Sequence, residues 1–246
     1  MNIVLLGATR GMGRALARQL AARGDTLFLL ARNVDDAAQS AADIGVRSGR
    51  DAPQVAHCDL SDPSTLEPAL AAAFTALGHV DAVIVTAGLF GTQEELEADL
   101  ERARTLLTVN FAHTVVFCEH ARTRLLAQAG GGTLCVFSSV AGDRGRKPVG
   151  IYGSSKAGLS HYLESLDHKY RADGLVTLCV KPGFVKTGMT AGLDPPPFAG
   201  EPEQVAAQVI RAIDRKRPLI YTPSIWRWVM LTIQHLPRFV MRKVGF

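Results

Sequence analysis

Short apolar runs recur along the chain, separated by longer helix-like segments. The runs 3–6, 26–30, 54–57, 82–86, 133–137, 176–180 and 219–222 are apolar almost throughout rather than alternating. That is the pattern of strands covered on both faces. The segments between them, including 12–23, 64–77, 96–128, 151–172 and 202–214, read as helices. Seven such alternations without an internal repeat imply an α/β fold, a doubly wound parallel seven-stranded sheet with helices on both faces and right-handed crossovers. Gly130-Gly131-Gly132 punctuates the chain before the fifth run, and Pro182-Gly183 ends the sixth. Asp194-Pro195-Pro196-Pro197 marks a loop of about 15 residues beyond it, in the position where long loops cover ligands. No domain boundary is visible.

Composition adds limits. The 246 residues are 47% hydrophobic, ample for a sizeable core. Charged residues make up 20% and the formal charge is +4. So mild an excess, without a dense basic cluster, does not argue for nucleic acid, although it favours an anionic substrate. Cys58, Cys118, Cys135 and Cys179 are scattered without a C-x-x-C spacing. They read as buried thiols of a reducing compartment, with no metal site and no disulfide. The first strand begins at residue 2, which leaves no room for a signal peptide, and no apolar run reaches the roughly 18 residues that span a bilayer. The expected location is cytoplasmic. One segment complicates this: residues 225–233 are strongly apolar, with Arg227, His235, Arg238, Arg242 and Lys243 interleaved or following. They suit either a peripheral helix at a membrane surface or a segment packed over a substrate pocket or a partner subunit.

Candidate chemistry lies at two places. Gly7, Gly11 and Gly13 are spaced G-x-x-x-G-x-G between the first strand and the first helix. Glycines there let the backbone turn sharply and approach a pyrophosphate, while the helix offers its free N–H groups to that anion. The fold is therefore expected to be Rossmann-like, and the site nucleotide-binding. Residues 1–246 form a single dinucleotide-binding and catalytic domain on this reading, with 224–246 a C-terminal helical extension. The second strand ends at Ala31 followed by Arg32, where an acidic residue would accept from both ribose hydroxyls. With Arg10 in the glycine turn, two guanidiniums suit a 2′-phosphate. NADP(H) is thus favoured, with NAD(H) as the second candidate. Asp59 is placed to reach the adenine amino group or to cap the helix near residues 62–64, and small residues in Thr86-Ala87-Gly88 permit close approach.

The second place is Tyr152-Gly153-Ser154-Ser155-Lys156, whose tyrosine and lysine share one helix face. Ser139 precedes the tyrosine by thirteen residues, at the end of an apolar run. Carbonyl reduction requires a hydride on carbon and a proton on the developing alkoxide. A phenol with an ordinary pKa of about 10 is a usable acid, and a neighbouring ammonium lowers that value. Ser139 can donate to the substrate oxygen.

These motifs, with Cys58-Asp59-Leu60, Val109-Asn110, Ser138-Ser139-Val140-Ala141-Gly142 and Lys181-Pro182-Gly183-Phe184-Val185-Lys186-Thr187, give the chain a resemblance to the short-chain dehydrogenase/reductase family over roughly residues 1–223. Only Thr86-Ala87-Gly88 departs from the family's usual Asn-Ala-Gly, a mild change. The resemblance implies an oxidoreductase, a carbonyl reductase or alcohol dehydrogenase, with Asn110, Ser139, Tyr152 and Lys156 as its catalytic set. Asn110 would support a water-linked proton path, and Lys156 would also hold the nicotinamide ribose. Cofactor contacts would come from Gly7, Thr9, Arg10, Gly11, Met12, Gly13, Arg32, Asp59, Leu60, Ala87, Gly88, Asn110, Tyr152, Lys156, Pro182, Gly183, Val185 and Thr187. A homo-oligomer, dimer or tetramer, is implied through the helices near 96–128 and 151–172.

Substrate identity rests on Arg144, Arg146 and Lys147, which lie between Ser139 and Tyr152 and suit a phosphate or carboxylate, a solvated loop or a subunit contact. From about Ser138 onward the chain also resembles the keto-reductase component of decaprenylphosphoryl-ribose 2′-epimerase, which implies a keto sugar on a polyprenyl phosphate. The competing class, a dinucleotide-binding regulator or scaffold without turnover, would need a damaged catalytic set, and none of its members is missing.

Overall fold

The apolar runs are strands because neither of their faces meets water. In the computed structural model, which describes residues 1–244, β1 (Asn2–Leu6), β2 (Thr26–Ala31), β3 (Gln54–His57), β4 (Ala82–Val85), β5 (Gly132–Phe137), β6 (Leu175–Pro182) and β7 (Leu219–Thr222) form one parallel sheet. Its order is β3-β2-β1-β4-β5-β6-β7. Along β1, Val4 and Leu6 enter one core layer and Ile3 and Leu5 the other, so both sides of the pleat demand apolar residues.

The helices follow in chain order as α1 (Gly11–Arg23), α2 (Val34–Ser48), α3 (Leu66–Leu77), α4 (Gln93–Ala98), α5 (Leu100–Leu107), α6 (Thr114–Ala127), α7 (Gly150–Tyr170), α8 (Pro202–Asp214), α9 (Trp226–His235) and α10 (Arg238–Met241). Helices α1, α2 and α8 bury Leu16, Leu20, Ile44, Val205 and Val209 on one face of the sheet. Helices α3, α6 and α7 bury Leu66, Leu70, Phe117, Leu125, Leu159 and Leu163 on the other. Among the expected helices, α2 is an addition. Its apolar face is narrow (Ala37, Ala41, Ile44), but Asn33 caps it by accepting from the Asp36 N–H at 3.1 Å.

The continuous helix expected over 96–128 is a correction. It is interrupted at Asp99, whose extended backbone (φ −132°, ψ 93°) ends α4 and whose side chain caps α5 by accepting from the Arg102 N–H at 2.9 Å. Aspartate favours this local bond over a place inside a helix. A second interruption is a π-helical turn over Thr108–His113, a feature common at functional sites.

The C-terminal extension leaves the sheet as α9 and α10, and its last two residues, 245–246, lie outside the described residues. Trp226, Met230 and Ile233 pack against Val140, Phe184 and Tyr221 in a small separate cluster. No helix of the described residues is long and apolar enough to cross a membrane. The four cysteines are free and buried.

Candidate active site

At the carboxyl end of the sheet the strand order reverses between β1 and β4, and there the glycine turn lies. Gly7 and Gly11 have φ of 102° and 51°, values that side chains disfavour. A Cβ on Gly13 would stand 2.1 Å from the Gly7 carbonyl oxygen, and one on Gly7 would stand 2.6 Å from Thr86 Oγ1. The Thr86 hydroxyl is shared between the Leu6 and Gly7 carbonyls at 3.1 and 3.0 Å, so the threonine pins the turn to the end of β4. Helix α1 starts with neither a side-chain cap nor an acidic residue in its first turn. Its free N–H groups suit an anion, and this cradle fits the pyrophosphate of a dinucleotide.

The other residues expected to hold the cofactor lie in that turn or at and beyond the carboxyl ends of β2, β3, β4 and β6. Arg10 and Arg32 are exposed, and Arg10 pairs with Asp36 at 3.4 Å. Thr9 and Met12 are half-buried. Asp59 accepts from the Ser61 N–H at 2.8 Å, while Asp62 does the helix capping by accepting from Ser64. Leu60 is buried. Ala87 is half-buried, and a Cβ on Gly88 would meet Asn110 Oδ1 at 3.1 Å. Pro182 ends β6, Gly183 abuts the Trp226 ring, Val185 is buried and the Thr187 side chain covers Gly11. A cleft of about 530 Å³ opens between the glycine turn and residues 184–195, lined by Gly11, Arg14, Phe184, Lys186 and Thr187.

Ser139, Tyr152 and Lys156 are all buried. Ser139 follows β5 and accepts from the Ala141 N–H at 3.1 Å. Its turn is pressed onto α7, where a Cβ on Gly142 would lie 2.6 Å from the Ala157 nitrogen. On α7, Lys156 Nζ stands 5.9 Å from the Tyr152 ring centroid and donates to the Phe137 carbonyl at 3.0 Å. Phe90 meets Tyr152 edge-on at 5.1 Å. Burial pushes the Tyr152 phenol up to about 12, against a downward pull from the Ser139 hydroxyl, and pushes Lys156 down to about 8. Burial therefore sets the direction, where spacing alone suggests a lowering by the ammonium, and the phenol keeps its proton at neutral pH. Asn110 sits in the π-helical turn, where its amide donates to the Leu89 carbonyl at 2.8 Å and accepts from the Leu89 N–H at 2.7 Å. Both ends of its side chain are thus spent on the loop after β4.

Of the three basic residues that suit a substrate anion, a solvated loop or a subunit contact, two find partners within the chain. Arg144 donates to the Leu236 carbonyl at 2.8 Å and Lys147 to the Arg242 carbonyl at 2.6 Å, so both strap the C-terminal helices. Sequence reasoning missed the polar centre beneath them. Asp143 accepts from Lys181 at 2.5 Å and from the Tyr221 hydroxyl at 2.8 Å, joining this loop to β6 and β7. Burial and the Asp143 charge push Tyr221 up, which keeps it a donor. The available signal was one aspartate beginning an otherwise basic stretch.

Three comparisons bear on this arrangement. The sequence profile of the family described as short chain dehydrogenase matches residues 1–196. An uncharacterised oxidoreductase of Mycobacterium tuberculosis (strain ATCC 25618 / H37Rv) is 34% identical over 242 residues, covering 98% of this chain and 96% of that one. Carbonyl reductase family member 4 of Xenopus tropicalis is 29% identical over 214 residues, 84% of this chain and 88% of that one. Among solved structures, a short-chain dehydrogenase from Sphingobium yanoikuyae in complex with NADPH superposes with a TM-score of 0.81 at 22% identity, covering 96% of each chain.

Proposed function

This chain belongs to the short-chain dehydrogenase family and is an NAD(P)-dependent oxidoreductase, and from that premise we propose that it interconverts a ketone and a secondary alcohol at Ser139, Tyr152 and Lys156. The observation that carries this reading is the burial of Ser139, Tyr152 and Lys156 together beyond the carboxyl end of β5, with Lys156 Nζ 5.9 Å from the Tyr152 ring centroid. When bound, the nicotinamide cofactor supplies or accepts the hydride. Tyr152 gives its proton to the substrate oxygen in reduction and recovers it in oxidation. Ser139 donates a hydrogen bond to that same oxygen. Lys156, held by Phe137, places positive charge beside the phenol as its proton leaves. Asn110 orders the loop after β4 through both ends of its side-chain amide, and in this reading it supports a water-linked proton path to Lys156.

We read the cofactor as NADPH. Arg32 follows a small residue, Ala31, at the end of β2, and Arg10 lies exposed in the glycine turn, and a relative by fold binds NADPH. Charge-assisted contacts to a 2′-phosphate favour NADPH by about tenfold or more in kcat/KM. The test is NADPH and NADH oxidation on a carbonyl panel, and a clear NADH preference contradicts the arginine argument.

For the substrate we favour an anionic ketone, with a keto sugar on a polyprenyl phosphate as its most specific form. The described part of the extension supports it, because Trp228, Leu231 and Phe239 are exposed near Arg227, Arg238 and Arg242. This is a surface suited to lipid contact. Vesicle flotation together with turnover of a polyprenyl-phosphate keto sugar tests it, and failure of both removes it. Exposed Leu107, Phe111 and Val116 on and between α5 and α6 support a homodimer or homotetramer, which sedimentation measures directly.

A further inference from the structure

The loop between the Ser139 turn and Tyr152 carries four charged side chains, and three of them have partners. Asp143 receives Lys181 and Tyr221, while Arg144 and Lys147 donate to carbonyls of the C-terminal segment. Arg146 differs. The residue is half-buried, its Nε is enclosed without a hydrogen-bond partner, and its guanidinium makes no ion pair among the described residues. Burial disfavours its charge, yet a guanidinium does not lose its proton in proteins. A charge so placed is costly unless something pairs with it.

Among the described residues the chain supplies little relief. Asp143, whose charge reaches Arg146, already has a donor on each oxygen. The segment strapped over the loop belongs to residues 215–246, which contain seven Lys and Arg (215, 216, 217, 227, 238, 242, 243) and no Asp or Glu. Arg146 also lies six residues before Tyr152 and seven after Ser139, within the stretch that joins the two groups read above as acting on the substrate oxygen.

We propose that Arg146 anchors a subsite for an oxyanion of the substrate, a phosphate or a carboxylate, met by the two terminal Nη groups of the guanidinium. The proposal rests on the reductase reading and deepens it. It assigns recognition to one arginine, with Arg144 and Lys147 acting as straps for the C-terminal helices. A guanidinium edge matches two oxygens of one such group, and a charge-assisted pair of this kind gives a preference of about 10- to 100-fold for a charged ligand.

The test has two arms. In the first, NADPH-saturated protein is titrated by calorimetry with inorganic phosphate and, separately, with acetate. Saturation with NADPH fills the 2′-phosphate position, so that it does not report. Wild type should bind one of the two, and R146Q should lose that binding. In the second arm, kcat/KM is compared for dihydroxyacetone phosphate against dihydroxyacetone, and for levulinate against 2-pentanone. The charged member of one pair should be preferred by wild type. That ratio should collapse towards one in R146Q and survive in part in R146K, which keeps the charge without the fork. The pair that responds identifies phosphate or carboxylate. Absence of anion binding in wild type, or a binding and preference unchanged in R146Q, overturns the proposal. Should no carbonyl be reduced at all, the reductase reading fails separately, and the titration still decides the subsite. R146K serves in place of R146Q if the latter does not fold.

Discussion

Replacing Lys156 with methionine should stabilise the protein while removing its activity. A lysine that ordinarily titrates at 10.5 and here titrates at about 8 holds its proton about 3 kcal/mol less tightly, at 1.36 kcal/mol per pH unit. Methionine fills similar space without a charge. It forfeits the bond to the Phe137 carbonyl and leaves that oxygen unsatisfied, at a cost of about 1 kcal/mol. The net gain is about 2 kcal/mol at pH 7, or about 4–8 °C in Tm for a chain of this size. Below pH 8 the lysine is protonated in both folded and unfolded states, so wild type carries the whole penalty. Between about 8 and 10.5 the folded state releases its proton while the unfolded state keeps it, and wild-type stability rises with pH. The advantage of K156M is therefore full at pH 7, vanishes at about pH 10 and is reversed by about 10.5, where only the unsatisfied Phe137 carbonyl remains. Thermal unfolding of both proteins without nucleotide, at several pH values, reads this directly. A variant less stable than wild type at pH 7, or a difference that does not shrink as pH rises, would refute the reasoning.

Other outcomes follow from the same geometry. The rate of carbonyl reduction should fall as pH rises through about 8, where Lys156 loses its charge while Tyr152 stays protonated to about 12; a reduction profile flat to pH 10 contradicts this. Gly183→Ala would place a methyl about 2.2 Å from the Trp226 ring, so α9 must shift, and limited proteolysis should cut the C-terminal segment sooner than in wild type. Asp143→Asn leaves Lys181 without its buried counter-charge, a loss of about 3 kcal/mol or more. This should appear as a lower denaturation midpoint, and unchanged stability would show that the pair contributes nothing.

Much of this was readable along the chain because burial on both faces leaves a one-dimensional trace. Ile3, Val4, Leu5 and Leu6 are apolar in succession because neighbouring residues enter different core layers. Gly7, Gly11 and Gly13 were legible for a related reason, since two need unusual φ and one needs contact with a carbonyl. Long-range polar pairings left no such trace. Asp143 finds Lys181 and Tyr221 across 38 and 78 residues, and no periodicity announces that. The break at Asp99 was hidden because a helix cap and an exposed helical aspartate look alike when the backbone is unknown. Arg144 and Lys147 suit a substrate anion, a solvated loop or a subunit contact alike in sequence, because composition shows charge but not its partner, here the carbonyls of Leu236 and Arg242.

The central claim is that Tyr152 supplies the proton in an NADPH-dependent carbonyl reduction. Single-turnover NADPH oxidation by wild type and Tyr152→Phe, with NADPH affinity measured in parallel, tests it most directly. Removing a general acid lowers the rate by about 10²- to 10⁴-fold, and the phenyl ring keeps its contact with Phe90, so NADPH binding should be retained. A Tyr152→Phe protein that oxidises NADPH at a rate near wild type would contradict the assignment.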